Sequence, residues 1–162
     1  MQRTLCSFRF ILWATAITPS PVYAQQTAYT VSPESTFMRG CFPPALCPVF
    51  WSDGVEGTFT LGFTWSDGSI DYYDVDDVLL TVAVRGDRVI RIWGSGTYQI
   101  SEGDAGQQEL QLDLMIDDEE HQFDSGLVPV QTPFPLLDIE ISIHGKTGFD
   151  TVIAIRAAPS DF

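Results

Sequence analysis

Apolar and polar residues alternate with a period of two along much of this sequence. Between Thr58 and Trp65, apolar side chains occupy every second position, at Phe59, Leu61, Phe63 and Trp65. The alternation recurs in three further runs, at 78–84, 110–116 and 137–143. Because successive side chains of a β-strand point to opposite faces of the sheet, each run predicts a strand with one buried face. Such alternation is typical of antiparallel sheets with one face in water, so we expect an all-β, antiparallel fold.

Turn-forming residues separate these runs and divide the chain into about eight expected strands. Asp-Gly and Gly-Asp pairs, which tolerate the positive φ angles of tight turns, occur between them. The expected strands lie at 28–31, 55–65, 69–73, 77–85, 88–100, 108–117, 136–144 and 150–157. Short strands at near-regular spacing predict an antiparallel β-sandwich or, as the alternative, a small closed β-barrel. The proline-rich run 128–135 predicts a long crossover, which favours the sandwich.

Residues 1–24 have the pattern of a secretory signal peptide. Two arginines precede a short apolar run at 10–17, and two prolines and the tripeptide Val-Tyr-Ala follow it, ending at Ala24. A basic start, a short apolar run and small residues at the cleavage site define such a leader. The apolar run is well short of the roughly 20 residues that a membrane-spanning helix needs. We therefore expect a signal-peptide helix that is removed, and a single all-β domain at 25–162 exported to the periplasm or the extracellular space.

Charge and length exclude several kinds of partner. The 162 residues fit one domain, and 22 acidic against 8 basic residues give a formal net charge of −14. A chain this acidic is unsuited to neutralising phosphates or to docking on anionic lipid, so we expect no nucleic-acid partner. The mature protein is also expected to have no transmembrane span. Seven arginines against one lysine and the absence of asparagine indicate a GC-rich coding sequence, which together with the leader points to a bacterial source.

Two cysteines remain once the leader is removed, Cys41 and Cys47. In an exported protein such a pair is most simply a disulfide, which would close a small, proline-stiffened loop. The alternative is a redox or metal-ligating pair. Five intervening residues do not match the Cys-x-x-Cys spacing, and no histidine lies nearby in the sequence.

The segment around these cysteines is a candidate binding surface. Its apolar side chains are Phe42, Leu46, Phe50 and Trp51. Rigid presentation of aromatic side chains suits a binding patch, and the alternative is a loop that closes one end of the core. The Phe134–Leu136 segment is expected to cap the other end or to join the same patch.

Four aspartates near the centre of the chain are candidate calcium ligands: Asp71, Asp74, Asp76 and Asp77. Carboxylate oxygens are the ligands that calcium prefers, and extracellular calcium modules bind weakly enough to use such loops. The ordered Asp-x-Asp-x-Asp-Gly loop with its distal glutamate is missing, however. A solvated acidic face that keeps the protein soluble is the alternative, and we expect no cofactor.

Several motifs resemble an uncharacterised family of short exported bacterial β-domain proteins. They are the Cys-Phe-Pro-Pro-x-x-Cys-Pro string at 41–48, Gly-Thr-Phe-x-Leu at 57–61, Gly-Ser-Gly-Thr-Tyr at 94–98 and Phe-Asp-Ser-Gly at 123–126. This resemblance covers most of the mature chain and implies no particular activity.

A second, partial resemblance is to the YceI-type periplasmic lipid-binding barrels. It rests on Tyr-Thr-Val-x-Pro at 29–33, continuing through Phe37, and on Val-x-Gly-x-Phe at 55–59. The resemblance covers the first third of the chain and implies a closed barrel that holds a lipid. The proline-rich cysteine loop between the two pieces departs from that family, and no ligand-binding residue carries over.

These observations favour a non-enzymatic binding or surface-associated module with a macromolecular or apolar ligand. The alternative is a carrier that holds an apolar small molecule inside the β-structure, which requires an internal cavity. A hydrolase that uses a pair of carboxylates is the third hypothesis, because so acidic a chain places some pair at a workable separation. No Gly-x-Ser-x-Gly motif is present, and we expect no catalytic residues.

Overall fold

Ten β-strands form one antiparallel sheet in the computed structural model, which describes residues 26–41, 50–84, 88–101, 106–143 and 150–160. The strands are β1 (Gln26–Val31), β2 (Thr36–Gly40), β3 (Phe50–Ser66), β4 (Ile70–Val84), β5 (Arg88–Ser101), β6 (Gln107–Ile116), β7 (Glu119–Asp124), β8 (Val128–Pro129), β9 (Leu137–Ile143) and β10 (Asp150–Pro159). The prediction of an all-β, antiparallel fold is confirmed. The expected signal peptide at 1–24 lies outside the described residues.

The hydrogen-bonded path through the sheet returns on itself. Its order is β1-β10-β2-β3-β4-β5-β6-β7-β9, and β9 also pairs with β10 from Ile143–Thr151 to Leu137–Ala157. The strands therefore form a ring around a common interior, where the sequence had favoured a two-sheet sandwich. The reason lies in the proline-rich run, which does not lead to a second sheet. Its residues 128–129 pair with β6, and the chain then continues into β9, which contacts β7.

Irregularities in pairing explain why the observed strands differ from the eight expected ones. The expected strands 69–73 and 77–85 are parts of the single strand β4, which carries a β-bulge between Val75 and Val78. Asp77 in this bulge has a φ of 52°. The bulge keeps both valines buried although their spacing breaks the period of two. The short strands β2, β7 and β8 lack the alternating pattern and were not predicted.

The interior of the ring is filled with apolar side chains. The predicted inward-facing residues of β6 are all buried, as are Leu80, Val82, Ile139 and Ile141. The side chains of Phe37, Val55, Val82, Leu114, Ile141 and Ile153 have no exposed surface. The alternating runs of the sequence thus supply one continuous core.

Two glycines of β5 lie where the backbone of β6 leaves no room for a side chain. An added Cβ at Gly94 would lie 2.0 Å from the carbonyl oxygen of Asp113, and one at Gly96 would lie 2.0 Å from that of Gln111. Both glycines are on β5, opposite Leu114 and Leu112 of β6. Glycine in a strand commonly marks such a close approach or a tight bend of a closed sheet.

Aromatic rings close one end of the interior. Phe134, in the proline-rich run, has its ring centroid 5.4 Å from that of Tyr73 and 6.5 Å from that of Tyr98. The Tyr98 hydroxyl donates to Gln108 Oε1 at 3.1 Å, and Gln108 Nε2 donates to the carbonyl oxygen of Asp138 at 2.9 Å. The buried amide and phenol are therefore paired, and the run 128–135 contributes an apolar lid instead of a crossover between sheets.

Buried tyrosines make the free energy of unfolding depend on pH in the alkaline range. Burial raises the pKa of Tyr29 to about 12, with a smaller contribution from Tyr73. In an unfolded chain tyrosine loses its proton at about pH 10, so the folded state is favoured by keeping Tyr29 protonated. This contribution to stability is complete below that pH and is lost between about pH 10 and 12. We expect the free energy of unfolding, measured in urea, to fall by about 1.4 kcal/mol per pH unit for each such tyrosine in that range. The free energy of unfolding of Tyr29→Phe should fall less steeply with pH than that of the natural chain. Identical slopes would contradict a raised pKa for Tyr29.

Candidate functional site

The predicted aromatic patch is only partly within the described residues. Phe50 and Trp51 begin β3, whereas Phe42, Leu46 and Cys47 lie outside the described ranges. Phe50 is 57% exposed. Trp51 packs against the core, with its ring centroid 5.4 Å from that of Phe37. Of the two patch residues that the structure describes, Trp51 closes the core and Phe50 faces solvent. The disulfide between Cys41 and Cys47 stays a prediction.

A shallow cleft lies beside these two aromatic residues, at the end of the ring opposite Phe134. It has a volume of about 490 Å³ and is lined by Phe50, Trp51, Ser52, Asp53, Val84 and Arg88. Arg88 donates to Asp117 Oδ2 at 2.7 Å across the exposed turn that follows β6. Because this ion pair is exposed, it contributes little to stability.

Trp65 does not join the core, which corrects the prediction from the alternating pattern. In the β3–β4 pairing, Phe63 lies opposite Tyr73, but Trp65 lies opposite Tyr72, so an extra residue enters β3 at Thr64. A one-residue shift sends every following side chain to the other face of the sheet. Trp65 is consequently 49% exposed, and Phe63 is also exposed at the rim.

The displaced indole stacks on a tyrosine at the outer surface of the ring. The ring centroids of Trp65 and Tyr72 are 4.2 Å apart and the ring planes differ by 5°. The adjacent Tyr73 packs in the opposite direction, against Phe63 at 5.6 Å and Phe134. An aromatic pair of this kind adds about 0.5–1.5 kcal/mol beyond the area that it buries. The stack therefore places two parallel aromatic rings on the outer face of the ring.

A cleft of about 190 Å³ lies at this stack. Residues of β3, β4, β5 and β6 line it: Thr64, Trp65, Tyr72, Tyr73, Asp74, Thr97, Tyr98, Gln99, Glu109 and Gln111. We call it the Trp65–Tyr72 cleft. Of the four candidate calcium ligands, only Asp74 lines it.

Hydrogen bonds orient the polar side of the cleft. Gln111 Nε2 donates to Glu109 Oε1 at 2.9 Å, and Gln99 Nε2 donates to Glu109 Oε2. Both oxygens of one carboxylate are thus held by amides from two neighbouring strands. Each amide also carries a carbonyl oxygen and a second N–H, which can form hydrogen bonds with a ligand. The cleft therefore combines oriented donors and acceptors with an aromatic surface.

A second exposed aromatic residue lies farther along the same outer face. Trp93 is 39% exposed and lies opposite Leu79 of β4, which is also exposed. Both residues line an open cleft of about 480 Å³ together with Asp76, Asp77 and Ser95. Trp93, Ser95, Thr97 and Gln99 occupy alternate positions of β5 and so share one face.

The four predicted calcium ligands are distributed along β4 instead of converging. Asp71 lies opposite Ile100 and Asp74 opposite Thr97, whereas Asp76 and Asp77 belong to the bulge. In the part of the chain that the structure describes, no three histidine, cysteine or acidic residues are grouped so as to hold a metal ion. These residues give no geometric basis for a calcium site.

Sequence reasoning missed the Trp65–Tyr72 cleft because the alternation placed Trp65 on the buried face. The only available signal was the neighbouring pair Tyr72 and Tyr73, since two adjacent aromatic residues in a strand necessarily point to opposite faces. One of them must therefore lie on the outer surface.

Comparison of the chain with protein-family models, curated proteins and solved structures finds no match. Both resemblances stated from the motifs consequently stay predictions. Among the described residues, no helix has the length and the apolar character needed to cross a lipid bilayer.

Proposed function

We propose that this protein is an exported, non-enzymatic binding module and that the Trp65–Tyr72 cleft contacts its ligand. The observation that carries the proposal is the stacked pair itself, because Trp65 leaves the core at a bulge and is held flat against Tyr72 on the outer face. Exposed apolar features rimmed by polar groups commonly mark interaction sites.

The polar lining supports the same function. Ligand sites typically join apolar surface with a few placed polar groups that fix the orientation of the ligand. Here Gln99 and Gln111 are positioned by their hydrogen bonds to Glu109, and Asp74 lies at the same cleft. The acidic residues, together with a net charge of −14, disfavour an anionic ligand.

The filled interior argues against the carrier hypothesis. A carrier needs an internal cavity, but the inward-facing side chains of the described strands pack into one continuous cluster. Phe37, Leu114 and Ile141 have no exposed surface. The Trp65–Tyr72 cleft and the cleft at Trp93 lie on the outer face of the ring, and the cleft at Phe50 and Trp51 lies at its end.

The hydrolase hypothesis named no particular carboxylates, and in the Trp65–Tyr72 cleft the two that it could use are Asp74 and Glu109. Glu109 accepts amide hydrogens at both oxygens, an arrangement that positions the two glutamines. This geometry favours a role for Glu109 in shaping the surface over one in proton transfer.

Substitution of Trp65 tests the proposed site. Full-length protein from an exporting host would be titrated with a panel of neutral oligosaccharides, cationic peptides and phospholipid vesicles. We expect binding to one class, weakened at least about tenfold by Trp65→Ala because an interface tryptophan commonly contributes more than ~1.4 kcal/mol.

Leu127→Ala is the matched control, since Leu127 is 59% exposed and lies outside the cleft. It should bind like the natural chain, and thermal unfolding would establish that both variants are folded. Binding unaffected by Trp65→Ala, or no binding to any class, would refute the proposed function.

A further inference from the structure

We infer that the ligand is a neutral polysaccharide chain that lies along the outer face of β4 and β5, from the Trp65–Tyr72 cleft to Trp93. This inference rests on the proposed function and specifies the chemistry of its ligand. Three independent features of the surface support it: the flat aromatic stack, the mixed hydrogen-bonding groups and the second aromatic contact on the same strand.

The aromatic stack suits the apolar face of a sugar ring. The C–H groups on one face of a pyranose carry a small positive charge, and the face of an aromatic ring is negative. Trp65 and Tyr72 lie 5° from parallel and each covers one face of the other. The opposite face of Trp65, which is 49% exposed, is therefore the surface that a sugar ring would contact. The cleft volume of about 190 Å³ is below the roughly 300–1,000 Å³ of sites for drug-sized ligands. One ring of a larger molecule fits this size.

The hydrogen-bonding groups favour a neutral sugar over a charged ligand. A hydroxyl group both donates and accepts, so it needs acceptors and donors side by side. The cleft supplies carboxylates at Asp74 and Glu109 and amides at Gln99 and Gln111. A cation would use only the acceptors, and Glu109 already accepts two amide hydrogens. An anion would be repelled by the carboxylates.

The second aromatic contact indicates a polymer. Tyr72 lies opposite Gln99, and Leu79 lies opposite Trp93 on the same strand. Gln99 and Trp93 are six positions apart on β5, which corresponds to about 20 Å along a strand. Thr97 and Ser95 lie between them on the same face and carry hydroxyl groups. This distance exceeds the length of one sugar ring, so an extended chain is needed to contact both aromatic residues.

The test compares short and long neutral sugars on four proteins. Isothermal titration would measure the affinity of neutral disaccharides and hexasaccharides, such as gluco-, manno- and galacto-oligosaccharides, for the natural chain. Trp65→Ala, Trp93→Ala and Leu127→Ala would be titrated in parallel, with polylysine and an anionic polysaccharide as probes of charge.

We expect a hexasaccharide to bind at least about tenfold more tightly than the matching disaccharide. Trp65→Ala should weaken both sugars at least about tenfold, Trp93→Ala should weaken only the hexasaccharide, and Leu127→Ala should weaken neither.

The remaining outcomes separate this inference from the proposed function. Polylysine binding that depends on Trp65, with no sugar binding, would support the cleft as the binding site and refute a neutral polysaccharide as its ligand. Equal affinity for both sugar lengths, or no effect of Trp93→Ala, would overturn the extended path. Sugar binding that Trp65→Ala leaves unchanged would overturn the site itself, and no binding of any neutral sugar would overturn the inference.

Discussion

Replacement of Phe37 by alanine is expected to lower the free energy of unfolding by about 3–5 kcal/mol, the range for removing a buried aromatic side chain. Phe37 has no exposed surface and packs against the Trp51 ring. It lies on β2, a strand of five residues that pairs with both β3 and β10. Its removal therefore leaves a cavity where a short strand joins two long ones.

Urea denaturation followed by tryptophan fluorescence and far-UV circular dichroism measures this loss. Val89→Ala serves as the control because Val89 is a β-strand residue that is 57% exposed. The free energy of unfolding of this variant is expected to stay within about 0.5 kcal/mol of that of the natural chain. A loss below about 1 kcal/mol for Phe37→Ala would contradict the central position of Phe37 in the core.

Gly94→Ala is expected to lower the free energy of unfolding by more than about 3 kcal/mol, beyond the usual ~1–3 kcal/mol of overpacking. The new Cβ would lie 2.0 Å from the carbonyl oxygen of Asp113, which belongs to the backbone and has no other rotamer. Relief of this clash requires β5 and β6 to separate, although they pair from Ile92 to Ile100.

Gly54→Ala provides the matched control for this clash. Gly54 also lies in a strand, but an added Cβ there has no heavy atom within 4 Å. Because alanine loses less conformational freedom than glycine on folding, this variant should be neutral or more stable by up to about 1 kcal/mol. Equal stability of the two variants in urea would show that β5 and β6 do not approach as closely as described. Limited proteolysis would detect a Gly94→Ala chain that fails to fold.

The strands and their buried faces were predictable because the period of two follows directly from strand geometry. Leu110, Leu112, Leu114 and Ile116 are all buried as their spacing indicates. The pattern was misleading where pairing shifts by one residue, at Thr64 and at Asp76–Asp77, and at Phe63, which is exposed at the rim. Whether a bulge forms depends on how two strands align, and the alternation within one strand carries no information about that alignment.

The candidate site was less predictable for the same reason. Trp65 belongs to the apolar side of its run, and only the shift opposite Tyr72 and Tyr73 brings it to the outer surface. The lining groups Gln99, Glu109 and Gln111 come from two other strands, and nothing in their local sequence distinguishes them from ordinary solvated residues. Phe50 of the predicted aromatic patch is exposed and its neighbour Trp51 packs on the core, while the binding role of that patch stays a prediction.

Closure of the sheet determines how this protein can bind other polypeptide chains. Among the strands that the structure describes, only the two-residue β8 has a single hydrogen-bonded neighbour. An open edge strand offers unpaired backbone groups to which a foreign strand can add, the usual route to β-augmentation and amyloid-like aggregation. Here most strands are paired on both sides, and the β7–β9 seam, where the register contains one residue pair, Asp124 with Ser142, is, besides β8, the exception among the described strands. Strand addition from another chain is therefore restricted to β8 and to the β7–β9 seam, and recognition elsewhere on the ring proceeds through side chains.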